Sequence, residues 1–161
     1  MLKPCAILSA IFLLISCNSK AQDSEKADSF PVSKSEAEWK AELTDLEFQI
    51  LRKEGTEPPF SSELNKNEKA GTYVCAACQT PVFKSEHKFD SGTGWPSFDR
   101  EVEGNVAFST DYKIGYARTE EHCATCGGHL GHVFNDGPSE TTGKRHCING
   151  AALDFIPKND E

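Results

Sequence analysis

The sequence predicts a mainly β domain that opens with two short helices and is stapled by zinc. Three observations carry this. From Gly71 onward, short segments suited to strands are separated by Gly- and Pro-containing turns at residues 91–94, 127–128, 136–138 and 149–150. Ahead of them stand two capping-box patterns, Ser35 with Glu38 and Thr44 with Glu47, which call for two helices rather than one. Two Cys-x-x-Cys pairs, Cys75 with Cys78 and Cys123 with Cys126, offer four sulfurs to one metal ion.

The elements follow in order. Residues 1–16 open with Lys3 and run into an apolar stretch too short to span a bilayer, as in an export signal. The stretch ends Leu14-Ile15-Ser16-Cys17, which resembles the lipobox of bacterial lipoproteins. Residues 1–16 are therefore expected to be a lipoprotein signal peptide and Cys17 the lipidated first residue. An ordinary signal peptide with an incidental cysteine is the alternative. Residues 17–34, rich in Ser, Asp, Lys and Gln, are expected to be a disordered tether. The seventeen residues from Asn18 to Lys34 reach about 20–25 Å on average. The domain is expected over residues 35–161, on the periplasmic or cell-surface side and held to the membrane through the lipid alone. Loss of residues 1–16 removes one lysine, so the net charge of −8 becomes −9. That acidity argues against nucleic acid and anionic lipid surfaces as partners.

In the helical region Trp39, Leu43, Leu46 and Ile50 fall at spacings of one face and read as core. Gly55 is expected to end the second helix, and Pro58-Pro59 blocks its continuation. Strands are expected over residues 105–109, over Tyr112, Ile114, Tyr116 and Arg118, and over residues 151–156.

The four paired cysteines are separated by 44 residues between pairs, so a zinc ion would join distant parts of the chain. A pair of disulfides is the rival in an oxidising compartment. The remaining cysteine is Cys147, in Arg145-His-Cys-Ile-Asn149. On a strand, 145, 147 and 149 share a face, so Arg145 would stand beside the sulfur and lower its pKa. Asn149 would donate to a ligand or to backbone. An inert buried cysteine is the plain alternative. His129 and His132 are three residues apart; they suit a catalytic pocket or a metal, or are surface histidines of a glycine-rich loop. Trp95, next to Pro96, makes a rigid apolar wall suited to a thioether methyl, or a core side chain.

Taken together the motifs resemble methionine-R-sulfoxide reductases of the B type. They are Gly55-Thr-Glu-Pro-Pro-Phe60, Asp90-Ser-Gly-Thr-Gly-Trp-Pro-Ser-Phe98, His129-Leu-Gly-His-Val-Phe134, Asp136-Gly-Pro138 and Arg145-His-Cys-Ile-Asn149, spread from about Ser35 to Ile156. The resemblance implies a mainly β fold of two antiparallel sheets, a structural zinc on Cys75, Cys78, Cys123 and Cys126, and a nucleophile at Cys147. It further implies that Arg145 and Asp136 organise the site, that His129 and His132 contact the sulfoxide oxygen directly or through water, that Trp95 and Phe134 enclose the methyl group, and that Asn149 helps fix the substrate. The implied reaction reduces methionine-R-sulfoxide, free or in oxidised exported proteins, through a Cys147 sulfenic acid. Two departures stand out. Thr93 occupies the position where many relatives carry a resolving cysteine, so a thioredoxin-like partner or a small thiol is expected to restore Cys147. His146 stands where an aromatic ring is common and should point away from Cys147. Two other readings remain: a zinc-ribbon binding module without catalysis, and a one-cysteine peroxidase.

Overall fold

The computed structural model describes residues 30–159. The expected signal peptide, Cys17 and most of the tether lie outside the described residues. No helix among the described residues is long and apolar enough to cross a membrane.

Both helices form where the capping boxes place them. α1 (Glu36–Glu42) starts at Ser35, whose side chain accepts from the Glu38 N–H while the Glu38 carboxylate accepts from the Ser35 N–H. α2 (Asp45–Lys53) repeats the arrangement with Thr44 and Glu47. Because the chain is extended at Leu43 and Thr44, the single stripe expected across both helices is broken. Trp39 and Ile50 are buried, but Leu46 is 50% exposed, and Phe48 and Leu51 enter the core instead. The helix ends at Glu54, which itself takes the left-handed conformation (φ 53°). Gly55 follows with its N–H donating to the Gln49 carbonyl, and a Cβ there would lie 2.9 Å from that oxygen. Glycine is needed for close approach rather than for its φ.

Order begins before Ser35. Phe30 meets the His122 ring edge-on at 5.8 Å, and the Val32 N–H donates to the Thr125 carbonyl at 2.8 Å. The last residues of the expected tether, 30–34, thus belong to the folded domain.

Among the described residues, nine strands build two antiparallel sheets. The smaller sheet has β1 (Gly71–Cys75) between β2 (Pro81–Lys84) and the last strand, β9 (Leu153–Pro157). The larger sheet contains β3 (Lys88–Phe89), β4 (Ser97–Phe98), β5 (Val106–Asp111), β6 (Arg118–Cys123), β7 (His129–Phe134) and β8 (Arg145–Ile148), in the order β3-β4-β8-β7-β6-β5. The core lies where the two sheets and α2 meet. Phe83 of β2 stacks on Phe98 of β4 at 4.4 Å, and Tyr73 of β1 meets Phe98 at 4.9 Å. Leu51, Leu130, Ile148 and Leu153 complete it.

The strand expected from Tyr112 to Arg118 is a correction. β5 ends at Asp111 and β6 begins at Arg118, which pairs with it; between them the chain turns. The Asp111 carboxylate accepts from the Lys113 N–H at 2.7 Å, a side-chain turn that competes with extended structure. The alternation of Tyr112, Ile114 and Tyr116 therefore belongs to an exposed hairpin tip. The strands expected over residues 105–109 and 151–156 are present, shifted by one or two residues.

Candidate active site and metal centre

The two Cys-x-x-Cys turns converge. Cys75 closes β1 and Cys123 closes β6, so the pairs come one from each sheet. All four sulfurs lie within 4.8 Å of one another. Across the pairs, Cys75 and Cys126 are 3.7 Å apart and Cys78 and Cys123 are 3.5 Å apart. A tetrahedral zinc thiolate site with bonds of about 2.3 Å requires sulfurs about 3.8 Å apart. A disulfide requires about 2.05 Å, and all four cysteines are free. The donor set, its spacing and its burial fit a structural zinc ion, and none of the four sulfurs is in a disulfide.

The second site centres on Cys147. β8 lies between β4 and β7, with Cys147 opposite Ser97 on one side and opposite His132 on the other. Cross-strand partners share a face, so His132 is brought directly beside the sulfur. The next pair along the same face is Phe134 with Arg145, whose guanidinium stacks 4.5 Å over the ring. Trp95 and Thr93, from the glycine loop before β4, and Arg118 at the start of β6 close a cavity of about 280 Å³. Asn149, Thr56 and Gly131 complete its lining. Gly131 is required: a Cβ there would lie 2.1 Å from the Cys147 carbonyl oxygen, so any side chain would push β7 away from β8.

Arg145, Cys147 and Asn149 share the cavity as strand alternation predicts, and His146 faces the other way. The consequence for the thiol differs from expectation. Burial pushes the Cys147 thiol up, and the pull of Arg145, followed by the contact with Thr93, offsets this only in part. Arg145 is engaged elsewhere as well, donating from Nε and from an Nη to the Asp136 carboxylate at 2.9 and 3.0 Å. Asp136 is mostly exposed and does not line the cavity. Its place is to hold Arg145.

The two histidines separate. His132 lines the cavity, while His129 does not and is only 2% exposed. His129 packs against His132 from outside the cavity lining. Its Nδ1–H donates to the Glu120 carboxylate at 2.6 Å, its Nε2 is buried without a hydrogen-bond partner, and its ring meets that of His132 edge-on at 5.4 Å. Asn149 is occupied by backbone: its amide donates to the Leu130 carbonyl at 3.0 Å and its oxygen accepts from the Glu57 N–H at 3.0 Å. The donation to backbone expected of Asn149 is present, and the residue also lines the cavity.

Glu57 is the organising residue that sequence reasoning passed over. It is buried, and its carboxylate accepts from the Gly150 and Ala151 N–H groups just beyond β8, the latter at 2.9 Å. Its carbonyl accepts from the Trp95 indole at 3.1 Å. One residue thus ties the Trp95 wall to the strand bearing Cys147. The signal available was an acid directly before Pro58-Pro59, where the chain must stay extended.

Burial lowers the His132 pKa, against the pull of its hydrogen bond to Asp111. Chemically the cavity offers a sulfur, an apolar aromatic wall on each side, a fixed guanidinium and one ring nitrogen with access to a ligand. A small group bearing a polar oxygen and an apolar methyl fits that lining.

Comparison with known proteins agrees with this geometry. A family model described as the SelR domain matches residues 43–157. A protein named peptide methionine sulfoxide reductase MsrB from Leptospira interrogans is 53% identical over 127 residues, covering 78% of this chain and 96% of the relative. Relatives of the same name from Bradyrhizobium diazoefficiens and Leifsonia xyli are 52% and 47% identical, covering 79% and 81% of this chain and 91% and 95% of the relatives. With the zinc knuckles, the two sheets and the Cys147 cavity all inside the matched span, the chain belongs to the SelR domain family.

Proposed function

We propose that this chain reduces methionine-R-sulfoxide, free or in polypeptides, to methionine through the thiolate of Cys147. One observation carries the reading: Cys147 and His132 are opposed across β8 and β7 inside a cavity walled by Trp95 and Phe134. The aromatic walls hold the methyl group and so select one epimer. The thiolate attacks the sulfoxide sulfur while His132 protonates the oxygen. Methionine leaves and Cys147 becomes a sulfenic acid. The thiol sulfur loses two electrons and gains OH; the substrate sulfur gains the two electrons and loses oxygen. Arg145, held by Asp136, favours the thiolate against burial. Asn149 acts through the backbone it ties, and His129 acts on His132 rather than on the oxygen. Zinc on Cys75, Cys78, Cys123 and Cys126 supplies cross-linking alone.

Regeneration requires an external thiol. The hydroxyl of Thr93 lies 3.9 Å from the Cys147 sulfur, and the other free cysteines among the described residues belong to the metal site. A thioredoxin-like protein or a small thiol fills this role. The peroxidase alternative leaves the methyl-sized apolar walls without purpose. The apolar stretch ending at Cys17 supports an export signal and a lipid anchor, with the enzyme on the outer side of a membrane repairing exported proteins. Cys17→Ser should then release it from the membrane fraction, and unchanged retention would count against the anchor.

The decisive experiment supplies separate R and S epimers with dithiothreitol. The R epimer should be consumed and the S epimer left, and Cys147→Ser should be inactive. Without reductant, about one methionine per chain should appear and dimedone should label Cys147. Equal rates on both epimers would sink the reading.

A further inference from the structure

His132 does not stand alone in the cavity. Its Nε2 is 2.8 Å from the Oδ2 of Asp111, the last residue of β5. That carboxylate is held well below the usual range by the Lys113 N–H, then by His132 and Arg118, so it carries no proton to donate. The shared proton therefore sits on His132 Nε2, and Nδ1 is the nitrogen left for a ligand. Asp111 is itself pinned: Oδ1 accepts from the Lys113 N–H, and Oδ2 also accepts from an Nη of Arg118. Arg118 lines the cavity, and its Nε is buried without a partner. The Asp111–Arg118 pair closes the base of the exposed hairpin, so one turn fixes both charges against His132.

We propose that Asp111 is a positioning residue that locks His132 with a proton on Nε2 and stabilises its imidazolium, so that Nδ1 delivers the proton to the departing oxygen, with Arg118 holding Asp111 in place. This rests on the sulfoxide reduction proposed above and assigns the source of its one proton. Cys147 enters as thiolate, His132 gives up one proton from Nδ1, and the products are the sulfenic acid, methionine and neutral His132, which regains its proton from solvent. The charged and titratable groups facing His132 are Asp111 from β5, Arg118 and Glu120 from β6, His129 from β7, and Arg145 and Cys147 from β8. Among them Asp111 is the one acid hydrogen-bonded to the ring.

The test is Asp111→Asn, which keeps the shape and removes the charge. In the zinc-loaded full chain, nitrogen NMR of the His132 ring should show the proton on Nε2. The variant's ring titration should move down by about one unit. The wild-type single-turnover rate on the R epimer should rise with pH up to the His132 pKa and then level. In the variant the level should drop about tenfold and the break should move to lower pH, the deficit vanishing toward acid pH. A deficit equal at all pH values, or a His132 titration that does not move, overturns the proposal. So does a resting proton on Nδ1. If Asp111→Asn does not fold, Asp111→Ser takes its place: it removes the same charge, and a His132 titration that does not move down overturns the proposal. The ring titration needs no turnover, so an inactive wild-type chain would refute the sulfoxide reading and leave the Asp111 arm separately readable.

Discussion

Cys147 sits where two opposing effects meet. Burial disfavours the thiolate, and the neighbouring Arg145 favours it, with burial the larger. The sulfur is therefore mostly protonated at neutral pH, and the thiolate fraction grows as pH rises toward the elevated thiol value. Removing the guanidinium removes the main counterweight. Arg145→Met should move the midpoint of Cys147 alkylation by iodoacetamide upward by about one unit. An unmoved midpoint would mean that Asp136 already cancels the arginine at the sulfur. Glu57 shows a different role at the same scale, since it acts only through groups it holds. Loss of its carboxylate would strand two backbone N–H groups beyond β8, at about 1–3 kcal/mol each.

The strands beneath the site carry a buried ion cluster on the face away from Cys147. His146 of β8 bonds through Nδ1 to Glu121 of β6 at 2.6 Å and approaches Glu101 through Nε2 at 3.4 Å. Glu121 is 0% exposed, its second oxygen is buried without a partner, and burial raises its pKa. A buried acid with one histidine partner is costly to break and cheap to replace whole. His146→Phe should destabilise the domain by about 3–5 kcal/mol, because it strands Glu121. The double change Glu121→Val with His146→Phe should recover most of that. The pH dependence follows from the raised pKa. The contribution of Glu121 is full below its ordinary value near 4.5 and is lost as pH rises through the higher folded value. Denaturation midpoints measured across that window should fall in the wild type and stay flatter in the double variant. Equal slopes would show that Glu121 does not ionise on unfolding.

Across the whole molecule, the metal centre joins the sheets at the ends of β1 and β6, while β9 returns to pair with β1. The strand after the Cys147 strand thus runs into the sheet that carries Cys75. Structural zinc sites contribute about 10–16 kcal/mol, as much as a typical domain's entire stability of about 5–15 kcal/mol. Metal analysis should find about one zinc per chain. Chelation, or Cys126→Ser, should abolish cooperative unfolding and expose Cys147 to rapid alkylation. A zinc-free chain with an unchanged thermal midpoint would contradict this account.

Much is legible in the sequence because the signals are local. Capping boxes pair residues three apart, Cys-x-x-Cys presents two sulfurs from one turn, and alternation places Arg145, Cys147 and Asn149 on one face; short-range geometry determines each. The long-range pairings were not legible in the same way. Nothing near Cys147 in the chain announces that His132 will oppose it, that Glu57 will bind the N–H groups of Gly150 and Ala151, or that His146 will find Glu121. The stripe through Leu46 failed because the chain is extended at Leu43 and Thr44, and the alternation through Tyr112 failed because the Asp111 side chain turns the backbone there. The sequence by itself determined the two helices, the zinc ligands and the family motifs. Only the tertiary structure decided that His132 reaches the cavity while His129 does not, and that burial outweighs Arg145 at the sulfur. Desolvation and hydrogen-bond partnership depend on what the whole fold packs around a group, which no local pattern contains.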